Sequence, residues 1–131
     1  MVINLNYPDT RLKITLGLTT LLTVCFEEAQ RWWHDPITGE RLNRNKGELI
    51  ALMHSELSEC LEGERKESMD SHLPHRPSPE VELADLIIRV ADYAQAFNYD
   101  LAGAVLEKLD FNRTRLDHTY KARQEPGGKK F

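Results

Sequence analysis

The chain has 131 residues, with 17 Lys+Arg against 21 Asp+Glu and a formal net charge of −4. That is the length of one domain, residues 1–131, and 40% hydrophobic with 29% charged residues supplies a packed core and too mixed a charge for compositional disorder. Collagen-like, low-complexity and strongly basic nucleic-acid-coating proteins are excluded, and the mild acidity argues against a reader of duplex DNA, whose affinity comes from clustered cations.

The first predicted helix runs from about Lys13 to His34, with apolar residues at Leu18, Leu21, Leu22, Cys25, Ala29 and Trp32 on one face. Arg11 and Lys13 precede an apolar run, Ile14 to Phe26, of a length that suits a signal peptide. That run holds four threonines, Glu27 and Glu28 follow it at once, and no A-x-A site appears. It is shorter than the roughly 20 residues that span a bilayer. The reading is a buried helix start in a cytoplasmic protein, with an exported protein as the alternative and with neither membrane nor nucleic acid as a partner. Cys25 and Cys60 stand too far apart for a CxxC motif, which fits a reducing compartment.

Asp35-Pro36 and Thr38-Gly39 end helix one. A second helix is predicted from Asn45 to about Lys66, apolar at Leu49, Leu52, Met53, Leu57, Cys60 and Leu61. Glu67 to Pro77, with its prolines and histidines and no period, reads as a loop. Ser78 is expected to cap a third helix ending near Phe97, with Pro79 in its first turn and Glu80 at the positive end of the dipole. Asp100 is expected to cap a fourth, carrying Leu101, Val105, Leu106, Leu109, Phe111 and Leu116 and running to about Ala122, with residues 123–131 an irregular tail. No stretch alternates in the manner of a strand, so the expected class is all-α, a bundle of four helices.

On a wheel of about 100° per residue, Glu56 falls inside the arc of Leu49, Met53, Leu57 and Cys60, and Glu59 lies at its edge. On helix three Leu83, Leu86, Val90, Ala94 and Phe97 form the apolar arc, flanked by a stripe of Glu82, Asp85, Arg89 and Asp92. Glu56, Glu59, Glu82 and Asp85 thus line facing borders of two neighbouring helices. A carboxylate on a buried face is costly unless paired or bound to a cation, and two acidic pairs brought together repel. A divalent cation resolves both problems. Oxygen ligands without histidine or thiolate suit Mg²⁺ or Mn²⁺ rather than zinc. The plainer alternative is a solvated surface, with Asp85 and Arg89 as an exposed i,i+4 ion pair.

His54-Ser55-Glu56-Leu57-Ser58-Glu59 followed by Glu82-Leu83-Ala84-Asp85 resembles the paired Glu-x-x-Glu and Glu-x-x-Asp motifs of the MazG-like, all-α nucleoside triphosphate pyrophosphohydrolases, whose superfamily includes dimeric dUTPases and phosphoribosyl-ATP pyrophosphohydrolases. The resemblance covers about residues 43–131. It takes in Lys108, Asn112 and Arg115 within Lys-Leu-Asp-Phe-Asn-Arg-Thr-Arg, and the closing Gly-Gly-Lys-Lys-Phe is similar to the tail of small phage and bacterial members. It implies that Glu56, Glu59, Glu82 and Asp85 bind Mg²⁺, for which Mn²⁺ substitutes, and that a nucleoside triphosphate and water give the monophosphate and diphosphate. Glu59, beside Glu56, is then expected to accept the proton of the attacking water. Lys108, Asn112 and Arg115 are expected to hold phosphate oxygens, Arg115 being suited to a bidentate contact. The resemblance also implies a homodimer or homotetramer, and analogy alone puts dGTP ahead of dUTP or dCTP.

Other residues keep two readings each. Lys66, His72, His75 and Arg76 either close over the phosphates or belong to an exposed polar loop; a zinc site at His72 and His75 is not expected, for want of further ligands nearby. Trp32 and Trp33 stack on a nucleobase or are buried in the bundle. Asn43, Asn45 and Lys46 contact base or sugar, or Asn45 caps helix two. His118, Tyr120 and the basic tail reach a neighbouring subunit or form a loose end. A non-catalytic helical interaction module is the competing reading of the whole chain.

Overall fold

The computed structural model of the chain describes residues 3–115 and 119–129. Among them every regular element is helical: α1 Pro8–Glu28, a 3₁₀ turn Gln30–Trp32, α2 Lys46–Lys66, α3 Ser78–Ala96, α4 Leu101–Thr114 and α5 Tyr120–Gln124. The only extended pairings among the described residues are isolated bridges, His34 with Arg41 and Met69 with Pro77. The class is therefore all-α, as the absence of strand patterning requires. No helix among the described residues is long and apolar enough to cross a membrane. The chain divides into two compact units, Thr19–Tyr99 and Met1–Leu18 with Asp100–Phe131, and α1 contributes residues to both.

Within the Thr19–Tyr99 unit, α2 packs along α3. The Asn45 side chain accepts the Glu48 N–H at 3.1 Å and so starts α2. Arg65 and Lys66 suit the negative end of the helix, which closes at Glu67 in a left-handed conformation (φ 49°). The following loop turns on Asp70, whose buried carboxylate accepts the N–H groups of His72 and Leu73 at 2.9 and 2.6 Å. Ser78 does not cap α3: Pro77 occupies the cap position and its carbonyl accepts from Glu80 and Val81, so Ser78 is already helical and makes no capping bond. Pro79 in the first turn forfeits no bond the helix needs. Phe97 and the left-handed Asn98 (φ 56°) then end it.

The helices meet at small residues. A Cβ on Gly63 of α2 would stand 3.0 Å from Pro79 Cδ and 3.1 Å from the Ser78 side chain. The buried apolar residues of this unit are Leu22, Cys25, Trp33, Leu49, Ala91 and Ala94. Leu57 and Leu83, expected inside the apolar arcs, stand about half open to solvent. Across the seam between α2 and α3, Gly63 meets Ser78 and Pro79, Glu56 and Glu59 approach Glu82, and Arg89 reaches Glu56.

Helix one also differs from its expected span. It begins at Pro8, whose fixed φ and missing N–H suit a first turn, and α-geometry ends at Glu28. The chain tightens into the 3₁₀ turn before Trp33, whose ring packs against Phe26 and Phe97. In the other unit Asp100 caps α4 by accepting the Gly103 N–H at 2.9 Å, and Ala102 and Leu106 are buried. Arg11 of α1 holds Asp110 of α4 through two contacts, at 2.9 and 3.1 Å. Helix α4 ends at Thr114 rather than near Ala122, and Thr119 caps a separate α5 that takes in Arg123 and Gln124 of the expected tail. Leu116 and His118 lie outside the described residues.

Candidate metal centre

Spacing of three on a helix puts Glu56 and Glu59 one above the other on α2. The seam with α3 brings Glu82 to them. One oxygen from each of the three carboxylates lies within 4.8 Å of the other two, a cluster able to hold a metal ion. Glu56 is only 5% exposed, whereas Glu59 is open to solvent. Burial, together with the charge and hydrogen bonding of Glu59 and then Glu56, pushes the Glu82 carboxyl up to about 7. The Asp85 carboxyl is likewise raised, first by burial and then by the charge of Glu56, but Asp85 stands outside the triad. Carboxylates that resist being charged together are a donor set for a hard divalent cation, so Mg²⁺ or Mn²⁺ fits the chemistry of these residues.

One cation already serves the cluster. Arg89 of α3 donates its Nε to Glu56 Oε1 at 2.5 Å. In the sequence Arg89 reads as a local partner of Asp85; in the fold it reaches across to α2. Beside it opens a cavity of about 560 Å³. Cys25, Leu49, Met53, Trp32 and Tyr93 give it apolar and aromatic walls, while Asp85, Arg89, Asp92 and Arg44 supply charge. Such a mixture of apolar walls and a few polar groups is typical of small-molecule sites. Asp92 accepts the Trp33 indole N–H, at 2.9 Å to Oδ1 and 3.2 Å to Oδ2. Its carboxyl is raised by burial, against the opposing pull of that hydrogen bond, Arg44 and Arg89. Burial and the nearby Asp92 charge also push the Cys25 thiol up.

Of the two tryptophans, Trp33 is buried at 2% exposure and Trp32 lines the cavity at 59%. Trp33 is therefore a core residue that positions Asp92, and Trp32 is the indole open to a ligand. Asn45 is the α2 cap. Lys46 lies over the rings of Phe97 and Tyr99, 4.3 and 5.6 Å from their centroids. Lys66 pairs with Glu62 and Arg76 with Glu80, both on exposed i,i+4 ladders. His72 bonds Ser71, and His75 is exposed. Lys108, Asn112 and Arg115 belong to the other unit, where Lys108 and Arg115 lie 4.7 and 5.6 Å from the centroid of the Phe111 ring and Asn112 is exposed. Arg44 escaped the sequence reading, and Cys25 entered it only as part of the apolar face of helix one, since no motif marks either as a cavity wall. No family model matches the chain, nor does a curated protein or a solved structure.

Proposed function

We propose that the chain is a metal-dependent nucleoside triphosphate pyrophosphohydrolase of MazG-like type, converting a (d)NTP and water into the (d)NMP and diphosphate. The observation that carries this reading is the convergence of Glu56, Glu59 and Glu82 to mutual distances of 4.8 Å or less, next to a partly aromatic cavity. An acidic cluster alone repels a triphosphate, and an aromatic cavity alone does not activate phosphorus. Together they match a ligand with a flat apolar end and a polyanionic end. Held by Glu56, Glu59 and Glu82 with Asp85 beside them, Mg²⁺ or Mn²⁺ would neutralise charge on the triphosphate and acidify a bound water.

The protein groups then have defined tasks. Glu59, exposed at the edge of the cluster, accepts the proton as the water oxygen bonds to the α-phosphorus and the bridging oxygen leaves with diphosphate. Trp32 and Tyr93 offer faces to the base, and Asp92 offers acceptors to an amino-bearing edge. That last feature fits guanine or cytosine better than uracil, which keeps dGTP as the leading substrate and dCTP ahead of dUTP among the alternatives. The phosphate contacts of Lys108, Asn112 and Arg115, a homodimeric or homotetrameric assembly and a cytoplasmic setting complete the proposal on resemblance.

The test is a panel of (d)NTPs with Mg²⁺ or Mn²⁺ and chromatographic identification of products. Diphosphate and monophosphate from at least one substrate are expected. Glu56→Gln is expected to lower turnover by at least about a hundredfold, since removing one group that stabilises transition-state charge has effects of that order. Orthophosphate alone, or no turnover on any nucleotide, sinks the proposal. The Glu56–Arg89 pair favours the competing reading, a helical interaction module, because it satisfies the buried carboxylate without metal. Under that reading Glu56→Gln leaves metal binding unaltered.

A further inference from the structure

Arg89 stands where the acidic cluster and the cavity meet. It projects from α3 to Glu56 of α2, a carboxylate almost closed to solvent, while its own side chain is 41% exposed. Asp85 precedes it by four residues and Asp92 follows by three, and both carboxyls feel its charge. A buried carboxylate left unpaired is strongly destabilising, so the guanidinium supplies what the metal-free fold requires at Glu56. A divalent ion among Glu56, Glu59 and Glu82 would claim the same carboxylate and would stand a few ångströms from a positive charge. Two cations sharing one carboxylate oppose each other, and the opposition is reciprocal by linkage.

We propose that Arg89 is a resident counter-ion of the acidic cluster: it holds Glu56 in the metal-free protein, sets the metal affinity below what the carboxylates alone would give, and yields Glu56 when a divalent cation binds. This rests on the metal-site reading above and adds to it a residue that tunes the site through Glu56 without ligating the ion. The partly exposed side chain leaves the guanidinium room to withdraw toward the cavity, where Asp85 and Asp92 remain as partners.

The experiment is calorimetric titration of the full chain with Mn²⁺ alone, in wild type, Arg89→Met and Arg89→Lys, with thermal melts in chelator and in Mn²⁺. Arg89→Met is expected to bind Mn²⁺ about five- to hundredfold more tightly, the span of ordinary coupling between two sites. Its metal-free form is expected to melt lower, and its gain in melting temperature on adding Mn²⁺ to exceed that of wild type. Arg89→Lys keeps the charge and is expected to stay within a few-fold of wild type. A purely structural pair predicts unchanged or weaker Mn²⁺ binding in Arg89→Met, which overturns the proposal. Equal tightening in Arg89→Lys overturns it too, because the effect would then follow guanidinium geometry rather than charge. If Arg89→Met does not fold, Arg89→Gln makes the same comparison, since its amide donates to Glu56 without charge. Wild-type protein that takes up no Mn²⁺ ends the metal reading and this proposal together; wild-type binding without tightening in the neutral variants ends this proposal alone.

Discussion

Glu82 carries the electrostatic strain of the cluster. Its carboxyl, ordinarily near 4.5, is pushed up to about 7 by burial and by Glu59 and Glu56. A group whose value is raised in the fold stays protonated there after the unfolded chain has released its proton. Its contribution to stability is therefore complete below about 4.5 and is lost as pH rises through about 7. Chelator-treated protein is expected to melt progressively lower from pH 5 to about pH 8. Glu82→Gln should flatten that fall, and Mn²⁺ should reverse it at the upper end. An unchanged fall in Glu82→Gln would place the titration elsewhere. The wheel placed Glu56 inside the apolar arc of its helix and Glu82 on the flanking border that faces it, because helical period and acid spacing are local properties. It did not reveal that Arg89 reaches Glu56 or that Trp33 reaches Asp92: those bonds span 33 and 59 residues, and local spacing favoured Asp85 as the partner of Arg89.

At the level of elements, the close approach of α2 and α3 is what brings Glu82 to Glu56 and Glu59. Gly63 permits it, because a methyl group there meets the Pro79 ring and the Ser78 side chain at 3.0 and 3.1 Å, and a proline ring cannot swing aside. Overpacking of this kind costs about 1–3 kcal/mol, against the about 1 kcal/mol that alanine gains over glycine inside a helix. Gly63→Ala is expected to destabilise by up to about 2 kcal/mol in denaturant melts and to weaken Mn²⁺ binding, because the start of α3 must move while Glu82 lies within its second turn. A variant as stable as wild type, with unaltered Mn²⁺ affinity, would show that the seam is not held at this point. The caps Asn45 and Asp100 were legible because capping chemistry is written in a single side chain. The ends of α1 and α4 were not: Ala29 and Trp32 continue the apolar period past Glu28, and the packing of Trp33, just past the 3₁₀ turn, involves Phe97 far along the sequence.

For the molecule as a whole, the absence of strand patterning pointed to the all-α class, and the surface reveals what patterning could not. Ile50 and Leu61 on α2 and Leu83, Ile87 and Ile88 on α3 are all exposed. Scattered apolar residues are normal on a surface, and the self-association that the resemblance implies is the proposal under which these would be covered. Light scattering on the purified chain is expected to give the mass of a homodimer or a homotetramer. Leu61→Glu combined with Ile87→Glu, neither of them a member of the acidic cluster, should shift that mass toward one chain. A wild-type protein that runs as a monomer at all concentrations rules out the assembly.

The adjacent tryptophans, one sealed in the interior and one at the cavity wall, make the chain its own optical gauge. Trp33 emits from dry surroundings and Trp32 from wet ones, so a water-borne quencher reaches the second and spares the first. Any molecule that fills the cavity must shade Trp32, and its arrival is therefore visible in intrinsic fluorescence with no label attached.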